Sequence, residues 1–416
     1  MTRFVFGYCL ILLVAFLLRE KKALKFDKNF LVVVYGVIFQ VLVAFALTNL
    51  PLFTTGLEKT AAGVMKLRDA ALEGTKFVFG YIGGGEVPFD VKNGTSTFVF
   101  AFQALPTVII IGALSAILMH LRILPFLAKT IGYLFKLIFK VRSSVGMVAA
   151  AKVFFGQFDS ALLIKPILPH LPKSDIFIIL ALAFATTSAA TMPIYADALK
   201  DVCPNAMEHI IMSSVISVIS VLIICSIVMP ANGEKFLDSS INSEGKRPYD
   251  SFMEAIQKGL SDGAYVWWCI VGILIGMTAL IAFINYVLDV FPNYAGMPVT
   301  LQRIVGFFMY PFSWIIGIQE QDLASISQIL GVKLVLNETI AFFDLAKADV
   351  SGESVVKAIY AINNFGNFSC IGMTAGGMLA LAPNQKCITE LISKAFVVGI
   401  LATFLTSTLM NIFISF

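Results

Sequence analysis

Four charged residues stand inside otherwise apolar stretches of this 416-residue sequence: Lys152, Asp159, Lys333 and Glu338. Charged groups at membrane depth are costly, so they usually face a cavity or a partner and mark the path of a solute or an ion. No nucleophile, metal set or acid–base pair with matching spacing accompanies them. We therefore expect recognition of a polar solute rather than catalysis, and an enzyme is the least favoured alternative.

Glu338 lies in a short polar interruption, Leu336-Asn337-Glu338-Thr339. A carboxylate accepts hydrogen bonds and would suit the vicinal hydroxyls of a sugar. The structural alternative is a bond to exposed backbone N–H groups where a helix begins. Lys333 and the trio Glu320-Gln321-Asp322 are expected near water, at the ends of a hairpin.

A second interruption carries Gln157 and Asp159. An amide offers a donor and an acceptor together, which matches the edge of a nucleobase, and Asp159 either accepts from a base N–H or caps a half-helix. Lys152 lies seven residues before Asp159, on the same face of a continuous helix. Its ammonium forms a structural ion pair there or occupies the place of a coupling cation.

A cluster of polar residues interrupts a later apolar stretch: Asn363, Asn364, Asn367, Ser369 and Cys370. Asn and Ser side chains compete for backbone hydrogen bonds, so this cluster predicts local unwinding. Helix–helix contact is the structural alternative, because polar side chains often join membrane helices.

The composition indicates that lipid surrounds much of this chain, because 58% of its residues are hydrophobic and only 13% are charged. A soluble domain carries about 25% charged residues, so we predict a polytopic membrane protein. The first apolar stretch lacks the basic start and cleavage site of a signal peptide and is expected to be a retained anchor. No nucleotide-binding loop or clustered Cys/His set is present, so ATP-driven transport, metals and cofactors are not expected, and the net charge of +4 gives no sign of nucleic-acid binding.

Eight stretches are long enough to cross a membrane, the first of them short: 4–18, 30–50, 97–121, 175–197, 209–230, 263–289, 355–382 and 391–415. Residues 143–172 and 303–347 are apolar at both ends and polar in the middle, which predicts two re-entrant hairpins. A helix with its own polar interruption follows each hairpin: Ala185-Thr186-Thr187-Ser188 after the first, and the cluster from Asn363 to Cys370 after the second. This arrangement, occurring twice, is typical of transporters built from inverted repeats.

We predict an all-α fold of eight transmembrane helices and two helical hairpins, divided into four regions. Residues 1–142 hold scaffold and interfacial helices, and residues 143–230 hold the first hairpin and broken helix of a transport domain. Residues 231–300 hold a linker and a scaffold helix, with basic residues that place the linker on the cytoplasmic side. Residues 301–416 complete the transport domain with the second hairpin, the second broken helix and the last helix.

Four segments in order resemble one family, the concentrative nucleoside transporters. They are Phe98–Phe102 with Leu105-Pro106-Thr107, Gly156-Gln157 followed by Pro166, Lys333 with Asn337-Glu338, and Phe365-Gly366-Asn367-Phe368-Ser369. The last two are similar to the GxKxxxNEF and FANxSS motifs of that family. The resemblance covers nearly the whole chain and implies a homotrimer that moves its transport domain by an elevator mechanism, driven by a sodium or proton gradient.

The resemblance also implies roles for individual residues. Gln157 and Asp159 would face the base, while the ribose would meet Glu338, Asn367 and Cys370, with Phe365 lining the pocket. The base-facing run departs from the family pattern at Phe158 and Asp159, and further departures fall at Cys370 and Thr339. These departures leave open a modified nucleoside, a nucleobase or another small polar metabolite as cargo.

The largest departure concerns the coupling ion. Sodium-coupled members of the family carry an asparagine five residues before the hairpin glutamine, and this chain has Lys152 there. A fixed ammonium repels a cation strongly at low dielectric, although Thr186 keeps a hydroxyl at the other side-chain ligand position. We therefore expect coupling to protons rather than sodium at the inner membrane, and an uncoupled facilitator is the alternative.

Overall fold

The computed structural model describes residues 2–20, 26–91, 97–152, 168–189, 191–230, 249–292, 298–381 and 386–414. Within these ranges the regular elements are α-helices with short 3₁₀ turns, in the following order: α1 Thr2–Leu17, α2 Phe26–Asn49, α3 Pro51–Phe79, α4 Phe100–Gln103, α5 Thr107–His120, α6 Ile123–Phe139, α7 Ser143–Ala151, α8 Lys173–Ala185, α9 Met192–Leu199, α10 Ala206–Val228, α11 Phe252–Leu288, α12 Leu301–Ile315, α13 Leu323–Val335, α14 Glu338–Lys347, α15 Gly352–Ile362, α16 Phe368–Leu381 and α17 Cys387–Ile414.

Membrane-length helices account for most of the predicted spans. Within the described ranges, five are long and apolar enough to cross a bilayer: Phe30–Asn49, Phe100–His120, Ala206–Val228, Phe252–Leu288 and Cys387–Ile414. The first predicted span is the shorter apolar helix α1. The spans predicted at 175–197 and 355–382 are each divided, into α8 and α9 and into α15 and α16. The all-α fold with two broken helices is thus confirmed.

The first broken helix is interrupted where hydroxyl residues replace apolar ones. Helix α8 ends before Thr186, whose backbone is extended at φ −120° and ψ 159°. Helix α9 restarts with Pro193 in its first turn, a position where the missing N–H of proline leaves no bond unmade. The interruption predicted from Ala185 to Ser188 therefore lies where the sequence placed it.

The second hairpin is shorter than predicted. Its arms are α13 and α14, joined by Leu336 and Asn337, and α12 is a separate helix that packs along α13. The predicted range 303–347 was wrong because it merged α12 with the hairpin. Gly317 makes the division: it follows the end of α12 in the left-handed conformation, with φ +87°, which favours glycine at a helix end.

The helices form two packing groups. Helix α5 packs along α11 through glycines, and a Cβ on Gly263 would lie 2.7 Å from the Cα of Ile109. Such small residues let two membrane helices approach closely. Helices α1 and α2 instead pack against α10 and α17, beside the broken helices. The predicted division at residue 142 between a scaffold and a moving domain stays a prediction.

A seam of buried polar side chains joins α1, α2, α10 and α17. Tyr8 donates to Oε1 of Gln40 at 2.6 Å, and Nε2 of Gln40 donates to the hydroxyl of Ser220 at 2.6 Å. The hydroxyls of Ser220 and Thr406 are 2.7 Å apart. Hydrogen bonds of this kind hold membrane helices together where apolar side chains have no preference between protein and lipid.

Candidate functional site

The side chain of Glu338 is the centre of the candidate site. It begins α14, is 5% exposed, and has each of its oxygens bound by a different half of the molecule. Oε1 accepts from the hydroxyl of Tyr195 at 2.9 Å, and Oε2 accepts from Nδ2 of Asn367 at 3.0 Å. Tyr195 lies in the first broken helix and Asn367 in the second, so this carboxylate joins the two repeats.

Capping of α14 is performed by a different residue. The side-chain oxygen of Asn337 accepts from the backbone N–H of Ile340 at 3.0 Å, as an N-cap residue does. The carboxylate of Glu338 is bound by the side chains of Tyr195 and Asn367 and also by its own backbone N–H at the start of α14. A binding role for Glu338 stays a prediction.

Asn367 serves two purposes at the second break. Its Oδ1 accepts from the backbone N–H of Cys370 at 2.9 Å and from the hydroxyl of Ser369 at 2.6 Å, which caps the start of α16. Its Nδ2 then points to Glu338. Helix α16 thus holds the amide in place, and the predicted ribose-facing residues Glu338, Asn367 and Cys370 are brought together.

Lys333 occupies the second break and is 5% exposed. Its ammonium donates to Oδ1 of Asn364 and, at 2.7 Å, to the carbonyl oxygen of Gly366. The prediction that Lys333 lies near water was wrong, because the unwound backbone at 363–367 offers acceptors that a lysine on α13 can reach. Of the neighbouring trio, Glu320 and Gln321 are exposed, while Asp322 is buried and accepts from the hydroxyl of Ser351 at 2.6 Å.

The two breaks touch each other directly. The backbone N–H of Phe365 donates to the carbonyl oxygen of Thr186 at 3.3 Å. The hydroxyl of Thr186 donates back to the carbonyl of Leu182 at 2.7 Å, which leaves its oxygen lone pairs unused by this bond. Phe365, which is predicted to line the substrate pocket, and Thr186, which is predicted at the ion site, therefore meet at this contact.

The structure also relates the depth of Lys152 to that of Thr186. Helices α7 and α8 pack together, and Nε of Arg142 pairs with Oδ2 of Asp175 at 2.6 Å where both begin. Lys152 follows Arg142 by ten residues and Thr186 follows Asp175 by eleven, which is about 15 and 16 Å of helix. Lys152 is 1% exposed at this level. Gln157 and Asp159 lie outside the described residues.

One contributor to the site, Tyr195, was missed from the sequence, because it stands among apolar residues, where an aromatic ring ordinarily packs against its neighbours. Asn364 was named only as a member of its polar cluster. The signal for Asn364 is its position three residues before Asn367 in an unwound segment. The signal for Tyr195 is weaker: it follows Pro193, which marks the restart of the broken helix. Among the described residues, no group of three or more His, Cys, Asp or Glu side chains is placed to hold a metal.

The fold and the site together define an all-helical membrane transporter with polar residues gathered at two broken helices. Three family models match the chain: the amino-terminal part of the Na⁺-dependent nucleoside transporters at 6–82, a nucleoside recognition "Gate" region at 101–201, and the carboxyl-terminal part of the same transporters at 209–411. The amino- and carboxyl-terminal models jointly cover more than half of the chain. This protein belongs to the concentrative nucleoside transporter family, a family of transporters and not of enzymes.

A relative is similar over the full length, and solved structures share the fold. The nucleoside permease NupC of Helicobacter pylori is 26% identical, across 99% of this chain and 97% of that protein. The structure of CNTnw in an inward-facing substrate-bound state superposes with a TM-score of 0.89 at 23% identity, covering 100% of this chain and 98% of that one. A CNTnw variant in an outward-facing state gives a TM-score of 0.87 at 22% identity, with the same coverage.

Proposed function

We propose that this protein imports nucleosides across the inner membrane as a secondary transporter, coupled to protons rather than to sodium. The observation that carries the proposal is the buried carboxylate of Glu338, bound by Tyr195 and Asn367 at the junction of two broken helices. Each carboxylate oxygen can accept a further hydrogen bond, so a sugar diol can bind without displacing either donor. Family membership supplies the class of cargo.

The substrate would lie across both repeats. The ribose hydroxyls meet Glu338 and Asn367, with Cys370 beside them and Phe365 lining the pocket. Gln157 and Asp159 face the base from the first hairpin. A nucleobase alone, a modified nucleoside or another small polar metabolite is the alternative cargo, motivated by Phe158, Cys370 and Thr339, and competition against bound uridine separates these.

Proton coupling is inferred from Lys152 and Thr186. Both are buried, and the pairing of Arg142 with Asp175 at the starts of α7 and α8 supports a similar depth for the two. An ammonium there supplies a fixed positive charge where the family's sodium-coupled members bind a cation. A fixed charge also favours the second candidate, an uncoupled facilitator, which would equilibrate its substrate without accumulating it.

Assembly as a homotrimer is the third part of the proposal. Helix α11 has an apolar membrane-length segment of which only 6% is buried within one chain. Trp268 and Tyr286 on it are 67% and 77% exposed. A helix this apolar needs lipid or another copy of the chain beside it, and the family resemblance favours a trimer.

Uptake into proteoliposomes tests the proposal. Labelled uridine and adenosine would be offered under a proton gradient, a sodium gradient or neither. We expect accumulation with the proton gradient alone and its loss in Glu338→Gln, while the exposed Glu390→Gln retains it. Equal inside and outside concentrations under every gradient would identify a facilitator. Sodium-driven accumulation would overturn the coupling, and no uptake by folded protein would overturn the cargo.

A further inference from the structure

Tyr195 is the one residue of the first broken helix whose side chain bonds to Glu338 among the described contacts. Its side chain is 1% exposed, and its ring stacks on that of Phe342 with centroids 4.6 Å apart and planes 18° from parallel. Phe342 lies four residues after Glu338 on α14, one helical turn away on the same face. The stacked ring therefore holds the phenol against the carboxylate.

The surroundings of the phenol fix the direction of its hydroxyl proton. The side chains of Thr191 and Thr339 also lie beside the phenol of Tyr195. A phenol donates only one hydrogen bond, and here that bond goes to Oε1 of Glu338 at 2.9 Å. Thr339 replaces the phenylalanine of the family motif and supplies one of these contacts.

The carboxylate of Glu338 is thus held at both oxygens, by Tyr195 from the first repeat and by Asn367 from the second. Two fixed donors determine the plane of the carboxylate and the direction of its remaining acceptor positions. Two acceptor positions that lie side by side can bind two neighbouring hydroxyls. A sugar with one hydroxyl or none there would leave at least one position unused. The contacts consequently favour a diol over a sugar that lacks it.

We propose that Tyr195 is a positioning residue that gives this transporter its preference for nucleosides with an intact ribose diol. The proposal rests on nucleosides being the cargo. Tyr195 acts through Glu338 rather than on the substrate, so its removal weakens binding of a diol more than binding of a nucleoside without one. A residue with a merely structural role would weaken both equally.

The test compares uridine with 2′,3′-dideoxyuridine in binding to the purified protein. In Tyr195→Phe the ring and its stacking on Phe342 remain, and only the hydroxyl is lost. A hydrogen bond to a charged group contributes enough for the preference for uridine to fall about tenfold. Affinity for dideoxyuridine should change less than threefold. The matched control is Tyr360→Phe, which removes another buried phenol bond, to Nδ1 of His209 at 2.8 Å, and should leave the preference unchanged.

The outcomes separate this proposal from the one on which it rests. If the wild-type protein binds neither nucleoside, the cargo is wrong and the role of Tyr195 falls with it. If the wild-type protein prefers uridine and Tyr195→Phe keeps the same preference, only the role of Tyr195 is overturned. Should Tyr195→Phe fail to fold, Phe342→Leu tests the same claim, because it frees the ring and keeps the hydroxyl: a reduced preference supports the role, and an unchanged one overturns it.

Discussion

The unwound segments of the two broken helices are held by different kinds of hydrogen bond. At the second break, the unwound backbone is held by a lysine ammonium and by amide side chains from Asn364 and Asn367. At the first break, the described side-chain bonds are made by hydroxyls: Thr186 to a carbonyl of its own helix, and Thr187 with Thr191 at 3.1 Å. Charged and amide groups form the stronger bonds.

The difference indicates a division of labour between the repeats. The second break is fixed by bonds that are costly to lose in a buried site, so it is suited to hold Glu338 and Asn367 in a constant position. The first break depends on weaker bonds and on the backbone contact from Phe365 to Thr186. It is therefore the half in which small changes of structure during transport are expected.

The largest expected effect comes from Lys333→Met. The change removes the ammonium from Asn364 and Gly366 and removes the positive charge of Lys333 that acts on Glu338, and losing one charge of a buried set costs about 3–5 kcal/mol. Thermal unfolding in detergent should show a large drop in midpoint, whereas Lys347→Met on the exposed end of the same hairpin should not. Adding Glu338→Gln to the first variant should recover part of the loss. Equal stability of Lys333→Met and wild type would remove the contrast between the breaks.

Gly366→Ala should have the next largest effect. An added Cβ would lie 2.8 Å from Oδ1 of Asn364 and 3.4 Å from Nζ of Lys333. Overpacking of this kind costs about 1–3 kcal/mol, so the unfolding midpoint should fall. Gly372→Ala in the following helix is the control, since nothing lies within 4 Å of its added Cβ. If the two variants have the same unfolding midpoint, the second break is less tightly packed than its contacts indicate.

Lys152→Asn asks whether the first break can be converted to a sodium site. The change replaces an ammonium with a neutral amide oxygen at the depth of Thr186. Sodium at ten times its dissociation constant should then stabilise the folded protein by about 1.4 kcal/mol. Thermal unfolding in sodium against choline measures this, with wild type expected to show no difference. Absence of a sodium effect in the folded variant would show that Lys152 does not take the place of an ion.

Thr187→Val should have the smallest effect. It removes the local bond between the hydroxyls of Thr187 and Thr191, and even polar side-chain bonds between membrane helices contribute only about 0.6 kcal/mol on average. The shift in unfolding midpoint should be barely measurable. A loss as large as that of Lys333→Met would mean that hydroxyls hold the first break as firmly as charges hold the second.

Much of the fold followed from local sequence. Clusters of Asn, Ser and Thr side chains compete for backbone hydrogen bonds, so breaks near Thr186 and Asn363 were predictable from the local sequence. Glu338 and Asn367 were recognised because polar groups in apolar stretches are conspicuous. Gln157 and Asp159 stay predictions, because they lie outside the described residues.

Contacts between distant parts of the chain were not predictable in the same way. Tyr195 and Glu338 are 143 residues apart, and no local pattern distinguishes a tyrosine that bonds a carboxylate from one that packs against apolar neighbours. Lys333 was assigned to water because the acceptors at Asn364 and Gly366 exist only after the second helix unwinds beside it. The end of α12 was not predicted, because the sequence alone did not show that Gly317 adopts the left-handed conformation that follows a helix end.

The buried seam from Tyr8 through Gln40 and Ser220 to Thr406 has a consequence for biosynthesis. Its members come from α1, α2, α10 and α17, so the chain of bonds cannot close until the ribosome has released α17. Until then the hydroxyl of Ser220 lacks its bond to Thr406. A nascent protein truncated before Thr406 would carry an incomplete seam, which gives cellular quality control a chemical difference between finished and unfinished chains.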